Sequence, residues 1–258
     1  MIETFRSILQ FEIARTLTPA RITLWLLLTL FPMLLVGGVR ALLLIRGRMD
    51  LDPETFANMI FYLIPHVTCQ LGLLLWATPA VGAEVEGQTW LYLATKPAGK
   101  SMILIGKYIT AVLWTLSSGW IAVWGCALIL NQFFSGRIAA VMSLMVLFSC
   151  LGFGSIYLLI GSILHRRAMV VAMLYTLMIE GVLGFLPATI NRFTVSYRLR
   201  NLMIDWMEVS GPFAENEYLY QPEAAPVHLA AIATHWVVTL VLAVVILNRR
   251  EIPINAEA

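Results

Sequence analysis

Six long apolar stretches, divided by short polar ones, organise this chain. They cover approximately residues 22–39, 56–83, 102–130, 138–164, 168–188 and 227–247. Each approaches or exceeds the roughly 20 apolar residues that cross a hydrocarbon layer. Lipid admits only helices and closed barrels, and runs of this length are helical. The pattern therefore predicts an all-α membrane protein with six transmembrane helices. The second and third stretches are longer than a straight crossing needs. In the second, Pro65 and Pro79 each remove a backbone donor and predict a kink.

Three segments fall outside the apolar bands. In residues 1–20, Ile2, Phe5, Leu9, Ile13 and Leu17 recur at helical spacing, with Arg6 and Arg15 on other faces. This predicts an amphipathic helix lying along the membrane surface. Such a helix either anchors the first span or serves a partner interface. The loop 189–226 carries Arg192, Arg198 and Arg200 against five carboxylates, with Leu199, Leu202, Met203 and Trp206 forming a short apolar stripe. The expectation is a small helix resting on the outer interface. The third segment, 84–101, keeps Glu84 and Glu86 near its start and Lys96 and Lys100 near its end, an order that suits a helix dipole. Gly87 permits a turn, a short helix follows from about Thr89, and Pro97 ends it. Trp90 and Leu93 share one face of that helix. The segment reads as an elbow between two spans. It either transmits force from a soluble partner or lies on lipid with Trp90 and Tyr92 as anchors.

Composition agrees with a lipid-embedded chain. Of 258 residues 60% are hydrophobic and 12% charged, about half the charge of an average soluble domain. A net charge of +2 with no basic run gives no reason to expect nucleic acid as a partner. The opening residues have mixed charge before the first apolar run, so that run reads as a retained span, not a cleaved signal. Six spans place both termini on one side. Ten Lys/Arg residues then flank that side and seven the other, which predicts cytoplasmic termini and a cytoplasmic elbow. Cys69, Cys126 and Cys150 sit inside apolar runs and read as small buried hydrophobes.

Few residues suggest chemistry. His66, Gln70, Glu180 and His235 are the polar groups that stand out at membrane depth. His66 and Gln70, four apart beside Pro65, are placed to bond each other and the backbone that the proline frees. Glu180, twelve residues into the fifth stretch, lies about 18 Å along it. No HExxH, no GxSxG and no GxxxxGK[ST] occurs, so neither a zinc protease, a serine hydrolase nor a P-loop ATPase is indicated. No metal site is expected. Small residues do recur at helical spacing. Thr115, Ser118, Gly119, Ala122, Gly125 and Cys126 line the third span, and Cys150, Gly154 and Gly161-Ser162 line the fourth. They predict close helix packing, either within the chain or in a dimer.

The order Glu84, Glu86, Thr89, Leu93, Pro97 and Gly106-Lys107 resembles the type 2 family of ATP-binding-cassette (ABC) permeases. Members carry a loop of this kind after the second span, an amphipathic N-terminal helix, six spans and a long outer loop before the last. Here Gln88 stands between the glycine and the threonine that the family places side by side, and Trp90 is bulkier than usual. The resemblance implies a permease subunit of an exporter in the plasma (bacterial inner) membrane. Such a subunit has no ATPase site and binds no cofactor, since ATP and Mg belong to a partner ATPase. It works as a homodimer or a paired permease. Glu84, Glu86, Gly87, Thr89, Trp90, Leu93, Pro97 and Lys107 would couple it to that ATPase. Two other readings of the sequence are an intramembrane enzyme using Glu180 with a histidine, and a non-transporting scaffold.

Overall fold

The computed structural model describes residues 2–47, 53–86, 99–130, 136–182, 184, 189–207 and 223–249. Helix α1 spans Ile2–Thr16 and α2 spans Pro19–Ile45. Thr18 caps α2 by accepting from the Arg21 amide, and Pro19 occupies the first turn, where its missing N–H is harmless. The second long segment is broken as its prolines require. It runs as α3 (Pro53–Phe61), a π turn (Tyr62–Thr68), α4 (Cys69–Trp76), a 3-10 turn (Thr78–Ala80) and α5 (Gly82–Glu86). Pro65 lies in the π turn and Pro79 in the 3-10 turn. The carbonyls loosened there are met by side chains: Thr68 Oγ1 donates to Leu63 at 2.9 Å, and Ser149 donates to Pro65.

Helix α6 covers Gly99–Leu130, α7 Gly136–Ile163, α8 Ala168–Tyr175, α9 Val195–Met207 and α10 Ala225–Arg249. Among the described residues there is no strand, and five helical segments are long and apolar enough to cross a membrane. The chain is an all-α membrane protein. The fifth apolar stretch differs from the rest. Helix α8 continues through a π turn, Thr176–Val182, so that the apolar helix has 15 residues. At helical rise this is about 22 Å, short of the roughly 30 Å hydrocarbon core.

Helix α7 is the axis of the bundle. Two-thirds of its most apolar window is buried (67%), against 22% for α2 and 17% for α10. The small residues explain the close approach. A side chain on Gly119 would strike Val146 of α7, and one on Gly154 would meet Tyr108 and Leu73. One on Gly72 would meet Thr115. Thr29 donates to Ser118 at 3.1 Å, and Thr239 to Ser155 at 2.6 Å. The small-residue stripes are thus used within the chain, where they let backbones pack in the absence of a hydrophobic drive. All three cysteines are buried thiols.

Contacts gather the ends of these helices into two groups. At one end Asn248 of α10 donates to Ser101 of α6 at 2.9 Å, and Lys107 of α6 meets Glu12 of α1. At the other, Arg137 at the start of α7 donates to the Trp206 carbonyl at 3.0 Å. Helix α9 forms where its stripe predicts, and Leu199, Leu202 and Met203 are buried. It does not rest on the surface. Tyr197, Arg200 and Asn201 are buried as well, so its whole girth is enclosed. Its first residue, Val195, packs on Gly152, about 24 Å along α7 from Gly136. Helix α9 therefore begins deep in the bundle and rises along α7 to Arg137.

Candidate functional site

The elbow expected at 84–101 is described at its two roots. Gly87, Thr89, Trp90, Leu93 and Pro97 lie outside the described residues, as does the side chain of Glu86. The roots meet. Glu84, in the second turn of the interrupted helix past Pro79, is 2% exposed. Its Oε1 lies 2.6 Å from Lys107 Nζ and 2.7 Å from Arg15 Nη1. Lys107 Nζ is also 3.4 Å from Glu12 Oε2. Two carboxylates face two cations, and the Arg21 guanidinium lies near enough to act on Glu12 and Arg15 as well. The cluster joins α1, the base of α5 and the third turn of α6.

The local sequence sets this up. In α1 the residues Ile8, Glu12 and Thr16 recur every fourth position, which puts them on one face. Ile8 packs over Gly106 of α6. Thr16 accepts from Trp114 Nε1 at 2.9 Å and donates to the Ile13 carbonyl at 2.7 Å. The apolar positions Phe11 and Leu17 point outward and are exposed, while Leu9 and Ile13 are half-buried. The helix is amphipathic, but the face that docks on the bundle is partly polar. Arg15 is 44% exposed, and the other three members are nearly enclosed. Burying these charges is tolerable because each faces an opposite charge.

A second cluster forms in the middle of the bundle. Glu180 is buried within the π turn after α8. Its carboxylate accepts from Tyr175 Oη at 2.8 Å, the Ser196 amide at 3.0 Å and the Val195 amide at 3.4 Å. The last two are unpaired amides of the first turn of α9, and a carboxylate there suits both the donors and the dipole. Glu180 thus ties the short apolar helix to α9. His66 does not bond Gln70. Its Nδ1 is 3.4 Å from Ser196 Oγ, so it joins the same cluster from the π turn at Pro65. Gln70 instead lines an apolar cavity of about 180 Å³ with Leu74, Tyr157 and Met173. His235 lies on α10, beside a different cavity, and makes no hydrogen bond to Glu180 among the described residues. Arg200, 2% exposed, donates to the Gly184 carbonyl at 3.1 Å and lies 5.8 Å from the Tyr197 ring. Among the described residues no three His, Cys, Asp or Glu side chains lie close enough together to hold a metal.

Sequence reasoning found Glu84, Lys107, His66 and Glu180 but not what they touch. Glu12, Tyr175 and Ser196 were not singled out, and Arg200 was read only as one of three loop arginines. Glu12 carried a usable signal, as a carboxylate four residues from both Ile8 and Thr16 and so on their face. Ser196 and Tyr175 carried none, since their roles depend on where α9 begins. A scan of protein-family models matches nothing in this chain, and a search of curated proteins finds no match.

Proposed function

We propose that the chain is the permease subunit of an ABC exporter, driven by ATP that a separate ATPase hydrolyses. The observation that carries this reading is the Glu84–Lys107 contact, extended by Arg15 and Glu12. It clamps both roots of residues 87–98 to each other and to α1. A loop so rooted moves with its helices, as a lever must. Glu84 and Lys107 then hold the lever, and docking falls to Glu86, Thr89, Trp90, Leu93 and Pro97. In this reading α8 and α9 together make the remaining crossing, so six passages leave both termini in the cytoplasm. The working unit is a pair of such chains with two ATPase subunits in a bacterial inner membrane, ATP and Mg being held by the ATPase.

Glu180 is engaged as the cap of α9 and the bond partner of Tyr175, which favours a structural role for it over the enzyme reading. Affinity purification of the chain from its native membranes tests the proposal. An ABC ATPase should accompany it, and Trp90→Ala with Leu93→Ala should release that ATPase without unfolding the chain. A complex with no such subunit refutes the reading.

A further inference from the structure

Helices α9 and α10 leave a cavity of about 380 Å³ between them. This is within the range of small-molecule sites, which are mostly apolar with a few polar groups. Its wall includes Arg192, Phe193, Arg198, Ile232, His235 and Val238. Two of these are cations, and none is a carboxylate. Arg198 is already neutralised, since its Nη1 lies 2.7 Å from Glu223 Oε2. The Arg192 guanidinium has no hydrogen-bond or ion-pair partner among the described residues. His235 Nε2, on the same wall, is enclosed and also lacks a partner among them. The cavity opens beside apolar surface: Phe193 is 79% and Val238 49% exposed.

Residues 231–238 of α10 lie about 9 to 20 Å from Ala225 along the helix, inside the apolar band. An arginine at that depth is costly unless an anion or the interface meets it. We propose that this cavity binds an anionic phospholipid, whose phosphate accepts from Arg192 and whose acyl chain lies along Phe193 and Val238. The two halves of the wall select the class together. A small soluble anion would leave the apolar half uncovered, and a neutral lipid would offer no counter-charge to Arg192, which has no ion-pair partner among the described residues. The site does not depend on the permease reading.

Native mass spectrometry of the full chain in mild detergent tests this, with phosphatidylglycerol, diacylglycerol and inorganic phosphate as probes. Phosphatidylglycerol should bind in preference to diacylglycerol, and inorganic phosphate should not displace it. Arg192→Gln should weaken phosphatidylglycerol by about tenfold or more, the loss of a charge-assisted bond. Val238→Trp, which fills the cavity, should do the same, and Thr234→Trp replaces it if that variant unfolds. Unchanged affinity in the folded variants overturns the proposal, as does equal binding of diacylglycerol or displacement by phosphate. A change of oligomeric state in Val238→Trp that accompanies the loss of lipid would show a second chain as the occupant, and would overturn it too.

Discussion

At the scale of single residues, the ion cluster shows how burial ranks four charges that look alike in sequence. Glu84 and Arg15 share one contact, yet Glu84 is enclosed and Arg15 is 44% exposed. Removing Glu84 breaks the 2.6 Å contact and leaves the nearly enclosed Lys107 with only its longer, 3.4 Å contact to Glu12, a loss that approaches the roughly 3–5 kcal/mol of a broken buried pair. Removing Arg15 leaves Glu84 still bound to Lys107, and an exposed partner is worth about 1 kcal/mol or less. Glu84→Ala should therefore lower the thermal midpoint in detergent far more than Arg15→Ala, and equal losses would contradict the cluster as described. In the variant Glu84→Ala/Lys107→Met the losses should fall short of the sum of the singles, because the two side chains touch. Glu180 offers a parallel case. Glu180→Gln removes the charge at the start of α9 but keeps an acceptor, and should cost about 1–2 kcal/mol. Glu180→Leu leaves two amides and Tyr175 without an acceptor and should cost more, read from the same melting curves.

At the scale of elements, glycines divide into those that permit contact and those that do not. A side chain on Gly119 would overlap Val146, whereas one on Gly38 of α2 meets nothing within 4 Å. Gly119→Leu should thus destabilise the bundle or part α6 from α7, while Gly38→Ala should be neutral or stabilising by about 0.5–1 kcal/mol. Midpoints that fall equally for both would contradict the packing. The small-residue stripe was legible in the sequence, but its partner helix was not, since composition does not say which neighbour fills the space. The breaks at Pro65 and Pro79 were legible because proline acts through its own backbone. The depth of α9 was not. Its apolar stripe resembles that of a surface helix, and what buries its polar side is the approach of α7 and α10 together with Glu180, fifteen residues away. Likewise the heptad-like apolar positions of α1 marked a helix correctly but not its docking face, because Glu12 and Thr16 find partners only once α6 is beside them.

At the scale of the molecule, the described helices gather α1, the roots of the elbow and the end of α10 at one end, with α9 rising toward the other. On the proposed reading, residues 87–98 between those roots are the lever that moves the bundle. The proposed function requires residues 87–98 to engage an ATPase. Its most direct test is ATP hydrolysis by the complex affinity-purified from native membranes, compared between the natural chain and Trp90→Ala/Leu93→Ala. ATPase activity should accompany the natural chain and be lost from the variant, with melting curves unchanged. A purified chain that brings no ATPase, or a variant that keeps it at full activity, would show that residues 87–98 do not couple the chain to an ATPase.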